Sequence, residues 1–280
     1  MLDQLQLPPK PADVSLNSPT SWPRRCDLLG VHVSATTYDE TCDAIVAAVR
    51  AEQSAVVSLH AVHAIVTSSR DRELLRKVND FDVIAPDGQP VRWALNRLYH
   101  AGLPDRVCGP ELMLRLCERA AAEGIPIYLY GSSPDVIDAL CANLAEQYDG
   151  LIIAGAESPP FRKLSAEEDE EMVRRINDSG AAIVFIGLGC PKQDHFAADH
   201  RDRIRGVQVC VGAAFDFHAG RKKIAPGWMQ RRGLEWVYRL VQEPRRLWRR
   251  YLVTNTLFIQ KFLFQWGRMR LRGVPSTNQN

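Results

Sequence analysis

Short runs of consecutive apolar residues, many of them β-branched, recur along the first three quarters of the chain. Each run is followed by a turn and then by a polar or amphipathic stretch. The runs cover residues 55–59, 82–85, 125–131, 151–155, 182–187 and 207–212. Because the apolar residues do not alternate with polar ones, the pattern is typical of strands that are buried on both faces of a sheet.

Stretches with helical periodicity lie between these runs. Their apolar spacing predicts amphipathic helices at residues 37–51, 63–78, 110–123, 134–148 and 165–178. The alternation of strand and helix predicts an α/β fold with a doubly wound, mostly parallel sheet that has helices on both faces. Ligands of such sheets bind outside the carboxyl ends of the strands, so we expect the functional residues to follow the strands.

The pattern changes after residue 224, where Ala225-Pro226-Gly227 interrupts it. Two helical segments follow, at residues 228–242 and 244–270, and we call residues 225–272 the appendage. In the second segment five large apolar residues form one stripe beside four arginines: Leu247, Tyr251, Phe258, Phe262 and Trp266, with Arg245, Arg246, Arg249 and Arg250. The sequence thus predicts a C-terminal basic amphipathic helical appendage.

The most apolar part of the appendage, residues 251–266, is shorter than the roughly 20 apolar residues of a membrane-spanning helix. It also contains Asn255, Gln260 and Lys261. Two alternatives remain for its apolar stripe: contact with a membrane surface, or packing onto its own domain or onto a second copy. The interleaved aromatic and cationic residues favour the membrane surface.

The distribution of charged residues also separates the core from the appendage. Residues 221–280 hold 14 Lys and Arg against two acidic residues, whereas residues 1–220 carry a net negative charge. A polyanionic partner of the basic segment is therefore expected, such as a membrane, a nucleic acid or a phosphorylated substrate.

The seven cysteines are scattered and form no C-x-x-C pair, which favours reduced thiols in a cytosol.

The sequence therefore predicts four parts. They are a mobile lead-in at residues 1–25, an α/β core at 26–224, the appendage at 225–272 and a disordered tail at 273–280. The lead-in has no basic start followed by an apolar core, so we do not interpret it as a signal peptide.

Asp87 follows the apolar run at residues 82–85 and stands between Pro86 and Gly88. Proline fixes the direction of the chain and glycine permits a tight turn, so the carboxylate is expected at the carboxyl end of a strand. There it can act as a general base. The alternative, which the spacing alone favours, is a turn aspartate that bonds its own backbone.

Three further strand ends carry residues suited to a nucleotide-sugar. Gly131 and Ser132 precede a helix and can offer donors to a diphosphate, or form a plain capped turn. Residues 187–194 combine two glycines, a cation and an amide, although a glycine-rich turn before a solvated helix has the same appearance. Asp216 follows the run at 207–212, where it can contact a base or ribose, or cap a helix.

Two patterns have possible metal ligands. Asp80-Phe81-Asp82 has the D-x-D spacing of metal-dependent nucleotide-sugar enzymes, but it precedes its strand and is expected at the opposite edge of the sheet. His60 and His63 lie three positions apart, with no third ligand at a matching spacing. The sequence therefore predicts no metal site and no cofactor.

Several stretches, in their order and spacing, resemble the WecG/TagA/CpsF family of glycosyltransferases. They are residues 56–60, 85–88, 106–113, 130–132, 187–193, 212–217, 233–236 and 243–247. The resemblance covers roughly residues 27–252.

The resemblance implies a metal-independent, inverting transfer of a sugar from a UDP-sugar to a polyprenyl-diphosphate-linked glycan in bacterial surface polysaccharide synthesis. Such an enzyme is a hexosyltransferase or N-acetylmannosaminyltransferase that is cytoplasmic and peripheral to the inner face of the cell membrane. The implied partners are the UDP-sugar donor, the lipid-linked acceptor and an anionic membrane surface, with no nucleic acid. A homo-oligomer is left open.

Carried over by position, the implied catalytic residues are Asp87, Gln193, Arg239, Arg246 and Arg249. Asp87 would deprotonate the acceptor hydroxyl, and Gln193 would hold the donor sugar or the acceptor. The arginines would close over the site and bind the diphosphate. The implied substrate-binding residues are Ser58, His60, Arg106, Gly131, Ser132, Gly187, Gly189, Pro191, Lys192 and Asp216, of which Asp216 would face uridine.

Three positions depart from the family pattern. The family usually has Thr and Asn where this chain has Ser58 and His60, and the change of shape at His60 leaves the identity of the donor or acceptor sugar open. Asp194 stands where the family usually has Glu and keeps the negative charge.

Two other classes are alternatives. A nicotinamide-dependent oxidoreductase could use a doubly wound sheet, but no strand is followed by G-x-G-x-x-G with an acidic residue about 20 positions later. A non-enzymatic module could bind membrane or nucleic acid through residues 221–272.

Overall fold

The structure of the protein is a computed structural model that describes residues 21–272. Most of the predicted lead-in and the whole predicted tail at 273–280 lie outside the described residues. Of the lead-in, residues 21–25 are described, and Arg25 already belongs to the first strand.

The fold begins with a two-stranded antiparallel hairpin and continues with a six-stranded sheet. The strands are β1 (Arg25–Leu28), β2 (Val31–Ser34), β3 (Ala55–His60), β4 (Val83–Pro86), β5 (Ile127–Gly131), β6 (Ile153–Glu157), β7 (Ile183–Gly187) and β8 (Val207–Cys210). In the larger sheet the order is β4-β3-β8-β7-β5-β6, and every neighbouring pair is parallel. The predicted parallel sheet is confirmed.

Helices cover both faces of the sheet. They are α1 (Tyr38–Arg50), α2 (Val62–Ser68), α3 (Arg72–Asn79), α4 (Gln89–Tyr99), α5 (Gly109–Glu123), α6 (Pro134–Gln147), α7 (Ala166–Asp178), α8 (Lys192–Asp199), α9 (Ala214–His218), α10 (Gly227–Arg231), α11 (Glu235–Gln242) and α12 (Pro244–Arg272). Side chains of α1, α5, α6 and α9 bury one face of the sheet. Those of α2, α3, α4, α7, α8 and α12 bury the other, which confirms the doubly wound prediction.

The single helix predicted at residues 63–78 is wrong, because the chain forms two helices there, α2 and α3. The Asp71 carboxylate accepts hydrogen bonds from the backbone N–H groups of Glu73 and Leu74 at 2.9 and 3.1 Å, and so starts a new helix. The Ser69 hydroxyl donates to the Val66 carbonyl and ends the first one. Local side-chain bonds thus interrupt an otherwise periodic pattern.

The predicted helix at residues 228–242 is also divided, into α10 and α11. Gly233 lies between them with a φ of +70°, which an L side chain rarely adopts. A Cβ at this position would lie 2.9 Å from the Trp93 ring and 3.2 Å from the Gln89 Cβ. This glycine therefore lets the junction of α10 and α11 rest directly on α4.

The appendage packs onto the core through α12. Leu247 and Phe258 are buried, and the rings of Phe262 and Trp266 pack against the cluster below. The Lys261 ammonium donates to the Ser69 hydroxyl at 2.9 Å. Most of the predicted apolar stripe therefore faces this chain's own domain, as the packed-helix alternative expects.

The opposite face of α12 is also apolar and is open to solvent. Val253, Leu263 and Phe264 are exposed there, and Phe264 is 68% exposed. Contact of this face with a membrane stays a prediction.

Replacement of Phe258 by alanine is expected to lower the free energy of unfolding by about 3–5 kcal/mol, because a buried ring is removed from the contact between α12 and the core. The matched control is Phe264→Ala on the same helix, whose exposed ring should contribute little. Urea unfolding of both variants measures the difference. Equal losses would contradict the docking of α12 described above.

Candidate active site

A cleft of about 1120 Å³ lies at the carboxyl ends of the central strands, between the core and the appendage. The core contributes the turns that follow β3, β4, β7 and β8. The appendage contributes side chains of α11 and α12. Residues that are far apart in the sequence thus meet at the sheet edge where the α/β pattern predicts ligands.

Asp87 lies in this cleft, directly after β4. Its backbone N–H donates to the His60 carbonyl at 3.2 Å, which fixes the turn against the end of β3. Gly88 follows with a φ of +83° and precedes the first residue of α4. The Pro-Asp-Gly turn therefore holds a carboxylate at a strand end, where the sequence pattern places it.

Burial raises the pKa of Asp87 to about 6, and the nearby Glu235 carboxylate adds to the rise. The nearby Arg106, Arg239 and His60 side chains act in the opposite direction. Desolvation thus outweighs the cations around this carboxylate. A carboxylate whose pKa lies close to neutral is suited to accept a proton.

Gln193 is buried at the start of α8 and lines the cleft. Its side-chain oxygen accepts a hydrogen bond from the Gly189 N–H at 3.1 Å, and its amide nitrogen lies 3.5 Å from the Cys210 carbonyl. A Cβ on Gly212 would lie 3.3 Å from the same Gln193 oxygen. The amide thus connects the turn after β7 to the end of β8 and fixes the shape of this wall.

Ser58 and His60 do not line the cleft; both are fully buried on β3. The Ser58 hydroxyl donates to Asp194 Oδ1 at 2.8 Å, and His60 Nε2 lies 3.3 Å from the same oxygen. Burial alone would raise the pKa of Asp194, but His60 and the hydrogen bonds of Ser58 and Cys190 outweigh it and lower the pKa. A buried anion is therefore compensated just beneath the cleft.

The turn after β7 contributes Gly187, Gly189, Pro191 and Lys192 to the cleft. Gly187 is required sterically, because a Cβ there would lie 2.5 Å from the Phe215 ring. Lys192 is exposed at the mouth of the cleft, where its charge can reach an anionic ligand.

Gly131 and Ser132, by contrast, lie outside the cleft. A Cβ on Gly131 would lie 2.6 Å from the Gly187 carbonyl carbon, so the glycine permits the close approach of β5 and β7. The Ser132 carbonyl accepts a hydrogen bond from the Ser158 hydroxyl at 2.7 Å. Both residues lie at strand ends here, and their contact with a diphosphate stays a prediction.

Asp216 lines the cleft at the start of α9, and its Oδ2 lies 3.1 Å from the Lys222 ammonium. Lys222 lines the cleft as well and lies 3.8 Å from the Glu243 carboxylate. The predicted contact of Asp216 with uridine stays a prediction.

The appendage arginines divide between the cleft and the surface. Arg239 and Arg246 line the cleft, whereas Arg249 is exposed outside it, with its guanidinium 5.8 Å from the centre of the Trp248 ring. Arg250 lines the cleft and is half-buried, and burial lowers its pKa. The family resemblance does not point to Arg250, although its i, i+4 spacing from Arg246 places both on one helix face.

Arg106 is buried behind the cleft wall. Its Nη2 donates to Glu235 Oε2 at 2.7 Å and to Gln230 Oε1 at 3.2 Å. Both partners belong to the appendage, so Arg106 joins the core to α10 and α11. The sequence places Arg106 in a cleft, but its guanidinium is engaged with protein groups.

The two candidate metal patterns have other partners. Asp82 Oδ2 accepts the Val56 N–H at 2.8 Å, and the Arg201 guanidinium lies 3.0 Å from the same carboxylate. His63 lines the cleft, where burial lowers its pKa to about 4. Within residues 21–272, no group of three or more His, Cys, Asp or Glu side chains is arranged to hold a metal ion.

Replacement of Asp87 by asparagine is expected to stabilise the fold above neutral pH. The folded protein raises the pKa from its ordinary value of 3.8 to about 6, so ionisation of the carboxylate opposes folding as the pH rises through this window. Thermal melts should show a higher melting temperature for the variant at about pH 8, and a much smaller difference near pH 4, where the folded Asp87 carboxyl is protonated. A lower melting temperature of the variant at pH 8 would contradict the desolvation of Asp87.

The geometry places a half-buried carboxylate opposite arginines in a cleft at the edge of a parallel sheet. The sequence model described as "Glycosyl transferase WecG/TagA/CpsF family" matches residues 26–272, which is nearly all of the described chain. The match includes both the core and the appendage, so the two sides of the cleft fall within one family pattern. The chain therefore belongs to the WecG/TagA/CpsF family of glycosyltransferases.

Proposed function

We propose that this glycosyltransferase moves a sugar from a UDP-sugar to a polyprenyl-diphosphate-linked glycan in bacterial surface polysaccharide synthesis, with inversion and without a metal ion. The observation that carries the proposal is Asp87, a carboxylate with a raised pKa that shares one cleft with Arg239, Arg246 and Arg250. A base on one side and cations on the other are what this transfer requires.

Asp87 is the proposed base. It removes the proton from the acceptor hydroxyl as that oxygen forms a bond to the anomeric carbon of the donor. The bond from the anomeric carbon to the diphosphate oxygen breaks at the same time, and UDP leaves with the electron pair. The proton ends on Asp87, whose pKa of about 6 suits this exchange.

The leaving diphosphate gains negative charge, which cations on the appendage side can offset. Arg239 and Arg246 lie in the cleft as the family resemblance implies, and Arg250 joins them. Guanidinium groups bind phosphate oxygens through paired hydrogen bonds, and a partly desolvated site strengthens them. We therefore assign the diphosphate to Arg239, Arg246 and Arg250, with Arg249 nearer to the surface.

A lipid-linked acceptor fits the apolar part of the same cleft. This part lies between α2 and the appendage and is lined by Val62, Trp236, Leu240, Tyr251, Leu252, Phe258 and Ile259. A free sugar or nucleotide would leave much of this surface without an apolar partner. An isoprenoid next to a diphosphate would satisfy both the apolar side chains and the arginines.

The transferred sugar can be identified by a comparison of donors. His60 lies beneath the cleft, bonded to Asp194, so its replacement of the usual asparagine acts on the shape of the wall from below. A comparison of UDP-glucose, UDP-N-acetylmannosamine and UDP-N-acetylmannosaminuronic acid as donors distinguishes a hexosyltransferase from an N-acetylmannosaminyltransferase.

Asp87→Asn is expected to lower the transfer rate by about 10²–10⁴-fold, because the general base is lost. The assay measures UDP-sugar-dependent labelling of a polyprenyl-diphosphate-linked acceptor in the presence of EDTA. In the unmodified protein, the rate should rise with pH to a plateau above about pH 6, as Asp87 loses its proton.

The matched control for this assay is Asp135→Asn, an exposed carboxylate that also follows a strand but lies outside the cleft. It should keep the full rate. UDP binding by Asp87→Asn, measured by calorimetry, shows that the variant still folds. A variant that binds UDP and turns over at the normal rate would rule out Asp87 as the base.

We also propose that the protein works at the inner face of the cell membrane. Within the described part of the chain, no helix has both the length and the apolar character needed to cross a bilayer. The exposed face of α12 combines apolar residues such as Leu263 and Phe264 with exposed cations such as Arg268. Such a face suits the surface of an anionic membrane.

Replacement of Leu263 and Phe264 together by serine should reduce sedimentation with vesicles that contain phosphatidylglycerol, because about half or more of each side chain is exposed and available to lipid. Phe161→Ser serves as the control, since Phe161 is 88% exposed but lies in the loop before α7. Unchanged sedimentation of the double variant would place the membrane contact elsewhere.

A further inference from the structure

Asp87 and Arg106 are held close together by the backbone. The N–H of Val107 donates to the Pro86 carbonyl at 3.0 Å, so the segment that carries Arg106 runs beside the turn that carries Asp87. Gln89, two residues after Asp87, donates to the Asp105 carboxylate at 2.8 Å. A buried arginine is thereby fixed next to the proposed base.

A guanidinium close to Asp87 can weaken that carboxylate as a base. An opposite charge within about 4–6 Å favours the ionised form of a carboxylate and lowers its affinity for a proton. In the structure the Arg106 guanidinium is directed to Glu235 at 2.7 Å and to Gln230 at 3.2 Å. Both of these partners come from the appendage, so Arg106 is engaged only while the appendage is docked.

The appendage contacts the core close to the turn that carries Asp87. Gly233, two residues before Glu235, rests on Gln89 and Trp93 at the start of α4, with no room for a Cβ. Glu235 itself lines the cleft together with Asp87. Docking of the α10–α11 junction therefore brings a second carboxylate, that of Glu235, to Arg106.

We propose that Glu235 is a positioning residue that binds the Arg106 guanidinium and keeps it from pairing with Asp87, so that docking of the appendage makes Asp87 a competent base. This proposal rests on the proposed function of Asp87. When the appendage is released, Glu235 and Gln230 leave together, and Asp87 is the carboxylate that remains beside Arg106. Asp87 then stays paired with Arg106 until the appendage docks again.

Other charges also act on Asp87, and the test must separate them. The charged and titratable groups that face it are His60 on β3, Arg106 and Cys108 before α5, and Glu235 and Arg239 on α11. Of these, Glu235 is the acidic partner of Arg106 and belongs to the appendage. Its removal should lower the affinity of Asp87 for a proton in two ways, by loss of a negative charge and by release of Arg106.

Glu235→Gln in the full chain is the direct test. The acidic limb of the pH–rate profile should move to lower pH by about one unit or more, and the plateau rate should fall because the base is weaker. In an Arg106→Gln background the same replacement should shift the limb by less, because no guanidinium is released. Glu235→Asp should restore part of the original profile.

Glu243→Gln is the matched control for the position of the acidic limb of the pH–rate profile. Glu243 also belongs to the appendage and pairs with Arg246, but it is not among the groups that face Asp87. A rate loss in Glu235→Gln with an unchanged limb would mean that Glu235 only fastens the appendage, and would overturn the proposal. An equal shift in the presence and absence of Arg106 would overturn it as well.

A measurement without turnover separates this proposal from the proposed function. The Asp87 carboxyl carbon can be followed by carbon-13 NMR in aspartate-labelled protein and assigned with Asp87→Asn. Its titration should move to lower pH in Glu235→Gln. If sugar transfer fails with every donor but this shift occurs, the function is wrong and the coupling stands; if transfer occurs without the shift, the coupling is wrong.

Discussion

Burial of Phe258 against the core, with Phe262 and Trp266 packed beside it, is the contact on which the cleft depends. The core alone provides a strand edge with a carboxylate and several glycine turns, and this surface is open until α11 and α12 cover it. The appendage then supplies the arginines and most of the aromatic side chains of the cleft. Because α12 packs on the helices of one face, the catalytic side of the sheet and the basic helix form one structural unit.

The charges of the site are arranged in two layers. Beneath the cleft, Asp194 is surrounded by Ser58, His60 and Cys190, and its compensated charge stabilises the turn that presents Gln193. At the surface of the cleft, Asp87 is desolvated and lies near the guanidinium groups of Arg106 and Arg239. The lower layer provides rigidity, whereas the upper layer leaves a carboxylate available for chemistry.

The sequence predicts the six strands well because parallel strands that are buried on both faces appear as uninterrupted apolar runs. The hairpin β1–β2 escapes this rule, since its two short strands alternate exposed and buried residues and form no continuous apolar run. The interrupted helices were missed for a local reason. Asp71 and Gly233 act through a side-chain cap and a left-handed backbone, neither of which alters hydrophobic periodicity.

The residues of the site are likewise predictable only in part from the sequence. The strand-end rule locates Asp87 and Gln193, because it depends on the order of elements along the chain. It cannot distinguish the turn at Gly131 from that at Gly187, since the first permits strand packing and the second lines the cleft. It also cannot show that His60 points down to Asp194, or that Arg250 replaces Arg249 in the cleft, because these depend on side-chain direction.

The ion pair of Arg106 and Glu235 has a consequence for the response of the protein to salt. Arg106 is buried and Glu235 is half-buried beside it, so dissolved ions screen this pair less than they screen exposed charges. The exposed arginines of α12, in contrast, attract an anionic surface through water, and this attraction falls steeply as ionic strength rises. In the proposed function, recruitment to a bilayer and docking of the appendage would therefore respond to different variables, and high salt would release the enzyme from lipid while the cleft stays assembled.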